Sequence, residues 1–257
     1  MDLDYIKRIG IKAAFESGRI LTSYFGNISD VRKKGAVDLV TEADIASEEA
    51  IIRIIHETFP EHSILAEESG LGQGDPVHQW IIDPLDGTVN FAHQVPIFSV
   101  SIAFALKGKP LVGVLLNPVT GELFSAVSGE GAFLNNHPIQ ASETRIMQES
   151  LLVTGFPYDL LSVFDTVTGR LENCLRAAQG IRRLGSAAFD LCAVADGRFD
   201  GFWEQNLHPW DTAAALVIAR EAGVVVTDFS NNPFTIEKKE ILATNGHIHA
   251  EMLTLLK

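Results

Sequence analysis

Ile6, Ile9, Ala13, Ile20, Leu21, Tyr24 and Phe25 recur at largely helical spacing and Gly26 follows as a stop signal, which predicts a first helix over Asp4 to Phe25. A basic connector, Arg32-Lys33-Lys34-Gly35, leads to Thr41, which stands three residues before Asp44 as a variant of the capping box. Ile45, Ile51, Ile52, Ile55 and Phe59 mark a second helix, closed by Pro60. The grammar then changes to short apolar runs cut by glycine, proline and asparagine: Ser63 to Ala66, Trp80 to Ile82, Phe98 to Leu106, Leu111 to Asn117 and Glu122 to Val127. Their length and boundaries predict strands, and Leu71 to Gln79 reads as a loop. The second half alternates. Strands are expected near 151–154, 181–184, 201–204, 224–227 and 241–243, and helices within 160–178, at Ala187 to Ala195, from Asp211 to Ala222 and at the C-terminal end. This interleaving predicts an α/β protein of layered sheets covered by helices. No linker divides the chain, so a single domain over residues 1–257 is expected.

Hydrophobic residues make up 46% and charged residues 21%, the usage of an ordinary globular protein, and no repeat or low-complexity tract interrupts them. The formal net charge of -13 disfavours a nucleic-acid duplex or an anionic membrane as the main partner. An acidic chain still binds a small phosphate where a divalent cation or a helix N-terminus supplies local positive charge. Cys174 and Cys192 sit in apolar, helix-like stretches without metal-ligand spacing and read as reduced core thiols. No run approaches the ~20 apolar residues that span a bilayer, and Met1 to Arg8 has no signal-peptide character, so a cytoplasmic protein is expected. Asn27-Ile28-Ser29 matches a glycosylation sequon but carries no weight without export.

The chemistry concentrates in Trp80-Ile81-Ile82-Asp83-Pro84-Leu85-Asp86-Gly87-Thr88-Val89-Asn90-Phe91-Ala92-His93. Asp83 and Asp86 are three apart, so a regular strand cannot point both the same way, whereas a turn can bring the carboxylates together. Two acids that close raise each other's pKa unless a cation sits between them, and an all-oxygen set suits Mg²⁺. Gly87 permits close backbone approach, and N–H groups at Gly87 and Thr88 could hold phosphate oxygens. Asn90 and Phe91 fit a role in holding the turn against the core. Other positions admit two readings. Glu67 and Glu68 follow an apolar run as a strand-end acid pair or a solvated loop entrance; Asp44 and Asp211 are ligands or early-helix acids. Gly185-Ser186-Ala187-Ala188 suits an anion site or close helix packing. His93 and His208 read as structural or supporting groups.

Together these motifs resemble the inositol monophosphatase family of Mg²⁺-dependent, lithium-sensitive phosphatases. Trp80-x-x-Asp83-Pro84-Leu85-Asp86-Gly87-Thr88-x-Asn90-Phe91-x-His93 is similar to its first signature and Trp210-Asp211-Thr212-Ala213-Ala214-Ala215 through Gly223 to its second. Asp38-Leu39-Val40-Thr41-x-x-Asp44 and Glu67-Glu68-Ser69 match in order and spacing. Ala66 and Val224 depart from it, standing where glycine and a small residue are usual. The resemblance implies an alternating αβαβα sandwich of the inositol monophosphatase and sugar phosphatase kind, and a homodimer. It implies that Glu67, Asp83 and the Leu85 carbonyl hold one Mg²⁺, that Asp83, Asp86 and Asp211 hold a second, and that Glu67 helps bind a weaker third. Thr88 and Asp44 would position the attacking water, with Glu67 assisting its deprotonation. Gly87 and Thr88 would hold the phosphate, Ala187, Glu204 and Asp211 would contact the substrate, and Lys33 matches the basic residue of a mobile loop. The implied substrate is inositol monophosphate; fructose 1,6-bisphosphate, histidinol phosphate or a 3′-phosphoadenosine nucleotide are the alternatives within the same chemistry. A regulatory RNA- or transcription-associated role is the alternative of another class, with Arg182-Arg183 as its small basic feature, equally readable as surface arginines.

Overall fold

The structure, a computed structural model, describes residues 1–27, 31–33, 39–157 and 159–257, with backbone alone at 31–33 and 39–40. Asp38 and the sequon serine lie outside the described residues, as does the side chain of Lys33. Two long helices open the fold: α1 (Leu3–Tyr24) and, after a hairpin of β1 (Val31–Lys33) and β2 (Leu39–Thr41), α2 (Glu42–Thr58). The Ala43 N–H donates to Thr41 Oγ1 and the Thr41 N–H to Asp44 Oδ2, so the expected cap forms.

The strands β3 (His62–Ala66), β4 (Gly70–Leu71), β5 (Asp75–Asp86), β6 (Ser99–Leu106), β7 (Lys109–Asn117), β8 (Glu122–Val127), β9 (Ala132–Leu134) and β10 (His137–Pro138) form one sheet. Its order is β10-β9-β8-β7-β6-β5-β3-β4. A short helix, α3 (Thr88–Ala92), follows β5. The second sheet contains β11 (Leu151–Thr154), β12 (Gly180–Arg182), β13 (Gly201–Gln205), β14 (Val225–Thr227) and β15 (Glu240–Thr244), in the order β12-β11-β13-β15-β14. Between its strands run α4 (Phe164–Ala177), α5 (Ala187–Ala195) and α6 (Pro209–Glu221), and α7 (His249–Leu255) ends the chain.

Strand alternation sets the layers. On β5, Trp80 and Ile82 face α1 and α2, whereas Ile81 faces α5 and α6. On the second sheet Val153, Phe202 and Ile241 join that central core, while Leu152, Trp203 and Leu242 face the outer side with Cys174 of α4 and Met252 of α7. The order is therefore αβαβα, as expected. The central helices are apolar nearly all round because both sheets bury them. At Gly113 of β7 an added Cβ would overlap the backbone carbonyl of Ala214, so α6 lies hard against the sheet. Cys174 and Cys192 are free and buried.

Two expectations need correction. Residues 75–79 are not loop but the first part of β5, paired with β3 and β6; Pro76 near the strand's start and the polar His78-Gln79 hid the pattern. The strand expected at 181–184 ends at Arg182.

Candidate active site

The site forms where β5 ends. Asp83 pairs with Ser101 and Asp86 with Ser99, so three steps along β5 match two along β6. This bulge cancels the odd spacing that would otherwise send the two side chains to opposite faces. The Leu85 N–H donates to Asp83 Oδ1 at 2.9 Å, bending the chain. Gly87 then adopts φ 101°, ψ 36°, a left-handed conformation that suits glycine, and starts α3 directly after Asp86. Asn90 Nδ2 donates to the carbonyls of Ile97 and Leu184, and Phe91 is buried edge-on to Phe98, so this pair does hold the turn.

The start of α2 clasps this segment from one side. Asp44 Oδ1 accepts from the Thr88 hydroxyl at 3.2 Å, and Ser47 Oγ donates to the Pro84 carbonyl at 3.0 Å. One turn on, Glu48 accepts the N–H groups of Glu68 and Ser69, both at 2.9 Å, and fixes the turn that carries Glu67. The Thr88 hydroxyl lies within reach of both Asp44 and the Leu85 carbonyl, and its single proton can serve one at a time.

From the other side, α5 clasps Asp86. Ser186 Oγ donates to Asp86 Oδ2 at 2.6 Å, and the Ala187 and Ala188 N–H groups donate at 3.2 and 2.8 Å. The small residues that open α5 thus serve an anion, and the anion is a carboxylate of this chain. Asp211 sits in the first turn of α6 and accepts from the His208 N–H. The helix begins at Pro209 rather than Asp211, so Asp211 is the third helical residue, closing a capping box that His208 opens. Glu204 lies on β13 against Gly155, where a Cβ would overlap both its carboxyl oxygens.

Burial dominates the electrostatics. It pushes Asp83 well above the usual carboxylate range, and the charges of Glu67, Asp86 and Asp211 push the same way. Burial likewise raises Asp211, opposed by the His208 N–H and reinforced by Asp86 and Glu67. Asp86 is raised by burial but held back by Ser186 and the amides of α5. Asp44 is pushed up to about 6 by burial, against its Thr41 hydrogen bonds and with the charge of Glu67. Glu204 is pushed up to about 8 by burial, then by Asp211 and Asp86, with Arg183 opposing.

The acids expected from sequence, Asp44, Glu67, Asp83, Asp86, Glu204 and Asp211, are thus within one another's fields. Gly87, Thr88 and Ala187 border the same cavity as Asp86, Glu204 and Asp211. Among the described residues no three acidic, histidine or cysteine side chains converge to hold an ion as they stand. Hydrogen bonds to Leu85, Ser186, α5 and His208 orient the individual carboxylates instead. Yet the named charges around Asp83 are acids, and the chemistry of this oxygen donor set fits a hard divalent cation. Volume does not select this site. A larger groove, about 980 Å³, lies between α1 and α2 beside Leu116, but it gathers no comparable acids.

The model of the inositol monophosphatase family matches residues 2–257. The chain belongs to the inositol monophosphatase family. It is 47% identical to an inositol-1-monophosphatase of Synechocystis over 98% of this chain and 88% of that protein. It is 40% identical to a Pasteurella multocida protein called Nus factor SuhB, over 97% of this chain and 94% of the relative. The solved inositol monophosphatase of Anabaena (Nostoc) superposes with a TM-score of 0.91 at 44% identity, covering 100% of this chain and 96% of that one. The chain is accordingly an enzyme, a phosphoric monoester hydrolase of the inositol monophosphatase type. Within this family member, sequence reasoning missed Ser47, Glu48 and Asp190, and reached Ser186 only as part of a segment suited to an anion. Asp190 had a signal, being the one charged residue from Ala187 to Ala195, whereas Glu48 lies in an ordinary polar stretch. No described helix is long and apolar enough to cross a membrane.

Proposed function

We propose that this enzyme is a Mg²⁺-dependent phosphomonoesterase that hydrolyses inositol monophosphate to inositol and phosphate. The observation that carries this is the gathering of buried Asp83 and Asp86 with half-buried Asp211 in one another's fields beside Glu67, at a cavity edged by Gly87 and Thr88. Charge on such a cluster at neutral pH costs stability, which entering cations would relieve. Glu67, Asp83 and the Leu85 carbonyl would hold one Mg²⁺ and Asp83, Asp86 and Asp211 a second, with Glu67 contributing to a weaker third. The ions supply charge neutralisation at the phosphoryl group and a lowered pKa for bound water.

The protein's own groups do the rest. The Thr88 hydroxyl accepts a hydrogen bond from the attacking water and passes its proton toward Asp44, with Glu67 assisting. Gly87 and Thr88 N–H groups orient the phosphate, while Ala187, Glu204 and Asp211 face the alcohol portion. Lys33, the last residue of β1, would supply a basic group near the metals. The 257 residues act as one catalytic domain in a lithium-sensitive cytoplasmic homodimer.

Phosphate release should be measured in parallel from inositol 1-phosphate, fructose 1,6-bisphosphate, histidinol phosphate and a 3′-phosphoadenosine nucleotide, with Mg²⁺ and after chelation. Chelator-sensitive hydrolysis with preference for inositol 1-phosphate supports the proposal. A marked preference for another compound overturns the substrate, and undiminished activity after exhaustive chelation overturns the metal chemistry.

The 40% identity to a relative called Nus factor SuhB gives a regulatory role a specific basis. Arg183 borders the catalytic cavity, which leaves Arg182 as the outer member of the basic pair. Complementation with a hydrolysis-deficient Asp86→Asn variant separates the two roles.

A further inference from the structure

Beside the catalytic cavity lies a second one of about 320 Å³, and the two share Gln205 and Asn206 as a common wall. Gln205 ends β13 opposite Glu240 of β15. Asn206 then turns the chain at φ 65°, and its N–H donates to the Lys239 carbonyl at 2.6 Å. The remaining walls of the second cavity are charged: Asp228, Lys238, Lys239 and Glu240. Most of this charge is already matched. Lys238 Nζ donates to Asp228 Oδ2 at 2.6 Å, Arg170 donates to Glu240 at 3.5 Å, and nearby Asp159 accepts from the Asn206 side chain. Lys239 is exposed, and its ammonium has no partner among the described residues. Its positive charge still reaches the first turn of α6, where it pulls the Asp211 carboxyl down against burial. Gln205 adds direction: Arg170 occupies its Oε1, which leaves the amide NH₂ with two donors and no partner among the described residues.

In the catalytic cavity Asp86, Asp190, Glu204 and Asp211 face a single arginine, Arg183, so a second anion is repelled there. Across the Gln205–Asn206 wall the balance reverses, because Lys239 is the one charge left uncompensated. We propose that Lys239 and Gln205 form a second anion subsite, which takes a phosphate carried at the far end of a sugar leaving group. Lys239 supplies charge and Gln205 supplies oriented donors, the pairing that charge-assisted recognition of phosphate needs. Lys239 is then a specificity-determining residue and takes no part in breaking the ester bond. The inference rests on the phosphatase reading and deepens it, adding sugar bisphosphates to the substrates rather than displacing inositol monophosphate.

The test sets fructose 1,6-bisphosphate against fructose 1-phosphate, which lacks only the distal phosphate, at saturating Mg²⁺. Wild type should favour the bisphosphate in kcat/KM, and Lys239→Met should lower that preference about tenfold, mainly through KM. Lys239→Arg should keep most of it. Gln205→Glu retains the acceptor for Arg170 but replaces the donors with negative charge, and should abolish the preference. Added salt should erode the preference of wild type and leave that of Lys239→Met nearly flat. Both substrates share the reacting phosphate, so any effect of Lys239 on Asp211 and the metals cancels in the ratio. Equal losses on the two substrates in Lys239→Met would show that Lys239 acts through Asp211 alone and overturn the proposal. A wild type without preference for the bisphosphate would overturn it as well. Calorimetric titration with fructose 6-phosphate, with divalent ions chelated, keeps the outcome separate from the parent reading. If wild type releases no phosphate from any substrate the phosphatase reading falls. Weaker fructose 6-phosphate binding in Lys239→Met than in wild type then still supports the subsite, and equal binding overturns it.

Discussion

Glu48 offers the sharpest test of how this fold holds its site. Its carboxylate is 4% exposed and accepts two backbone N–H groups, from Glu68 and Ser69, each at 2.9 Å. Hydrogen bonds to a charged group are worth about 1.5–3 kcal/mol each when removed. Ser69 is exposed and Glu68 half-buried, so water will recover part of that loss once the carboxylate is gone. The lower end applies, and Glu48→Ala should cost about 2–3 kcal/mol. For a chain of this size that corresponds to a fall in melting temperature of roughly 5–10 °C, read by circular dichroism without divalent ions. Glu48→Gln keeps one acceptor but sets an NH₂ group against the second amide, so it should fall between wild type and Ala. The released turn carries Glu67, and the apparent Mg²⁺ requirement of hydrolysis should rise about tenfold, with kcat at saturating metal changed less. A melting shift under about 2 °C with an unaltered Mg²⁺ titration would refute this account of α2 as the clamp on the Glu67 turn.

Asp86→Asn should lower metal-dependent hydrolysis about a hundredfold or more, since it removes a charge that Ser186 and α5 hold in place; steady-state phosphate release checks it. Gly113→Ala drives a methyl group into the Ala214 carbonyl and should cost about 1–3 kcal/mol, seen as a lower urea midpoint. Gly155→Ala displaces the Glu204 carboxylate and should raise KM for inositol 1-phosphate while leaving propyl phosphate unaffected, measured by initial rates. The folded pKa of Glu204 lies near 8, above its unfolded value of 4.5, so folding stability falls as pH rises across that window. At pH 7 the accumulated cost is about 3 kcal/mol in the metal-free protein, and Glu204→Gln should lessen the fall in melting temperature between pH 5 and 8.

Much of this arrangement was legible in the chain. The helix over Ala187 to Ala195 has the expected bounds, and the first helix begins and ends within one residue of them, because apolar periodicity and glycine or proline boundaries agree there. The odd spacing of Asp83 and Asp86 demanded an irregularity, and the bulge supplies it. The first half of β5 was hidden because pairing with both β3 and β6 decides it, against local signals from Gly74, Pro76 and two polar residues. At Asp44 and Asp211 the early-helix reading holds. Each supports the start of its helix and also stands among the clustered acids. Burial separates Asp190 and Glu48 from other helical acids, and burial belongs to the assembled layers rather than to either helix alone.

The location of the site follows from those layers. The end of β5 is where the start of α2 from one outer layer and the start of α5 from the central layer approach the same strand. Both bring hydrogen-bonding groups, but their balance differs: α2 offers the acceptors Asp44 and Glu48 beside one donor, Ser47, while α5 offers donors to Asp86. The donors hold the Asp86 pKa down where Asp83 and Asp211 rise further, so Asp86 is the carboxylate best prepared to be charged before any cation arrives. The others gain most from an incoming positive charge. Repulsion among these acids costs stability, and the hydrogen bonds to Asp83, Asp86 and Asp211 hold each carboxylate in place against it. A lysine or arginine inserted among them would stabilise the fold and occupy the place the reaction needs.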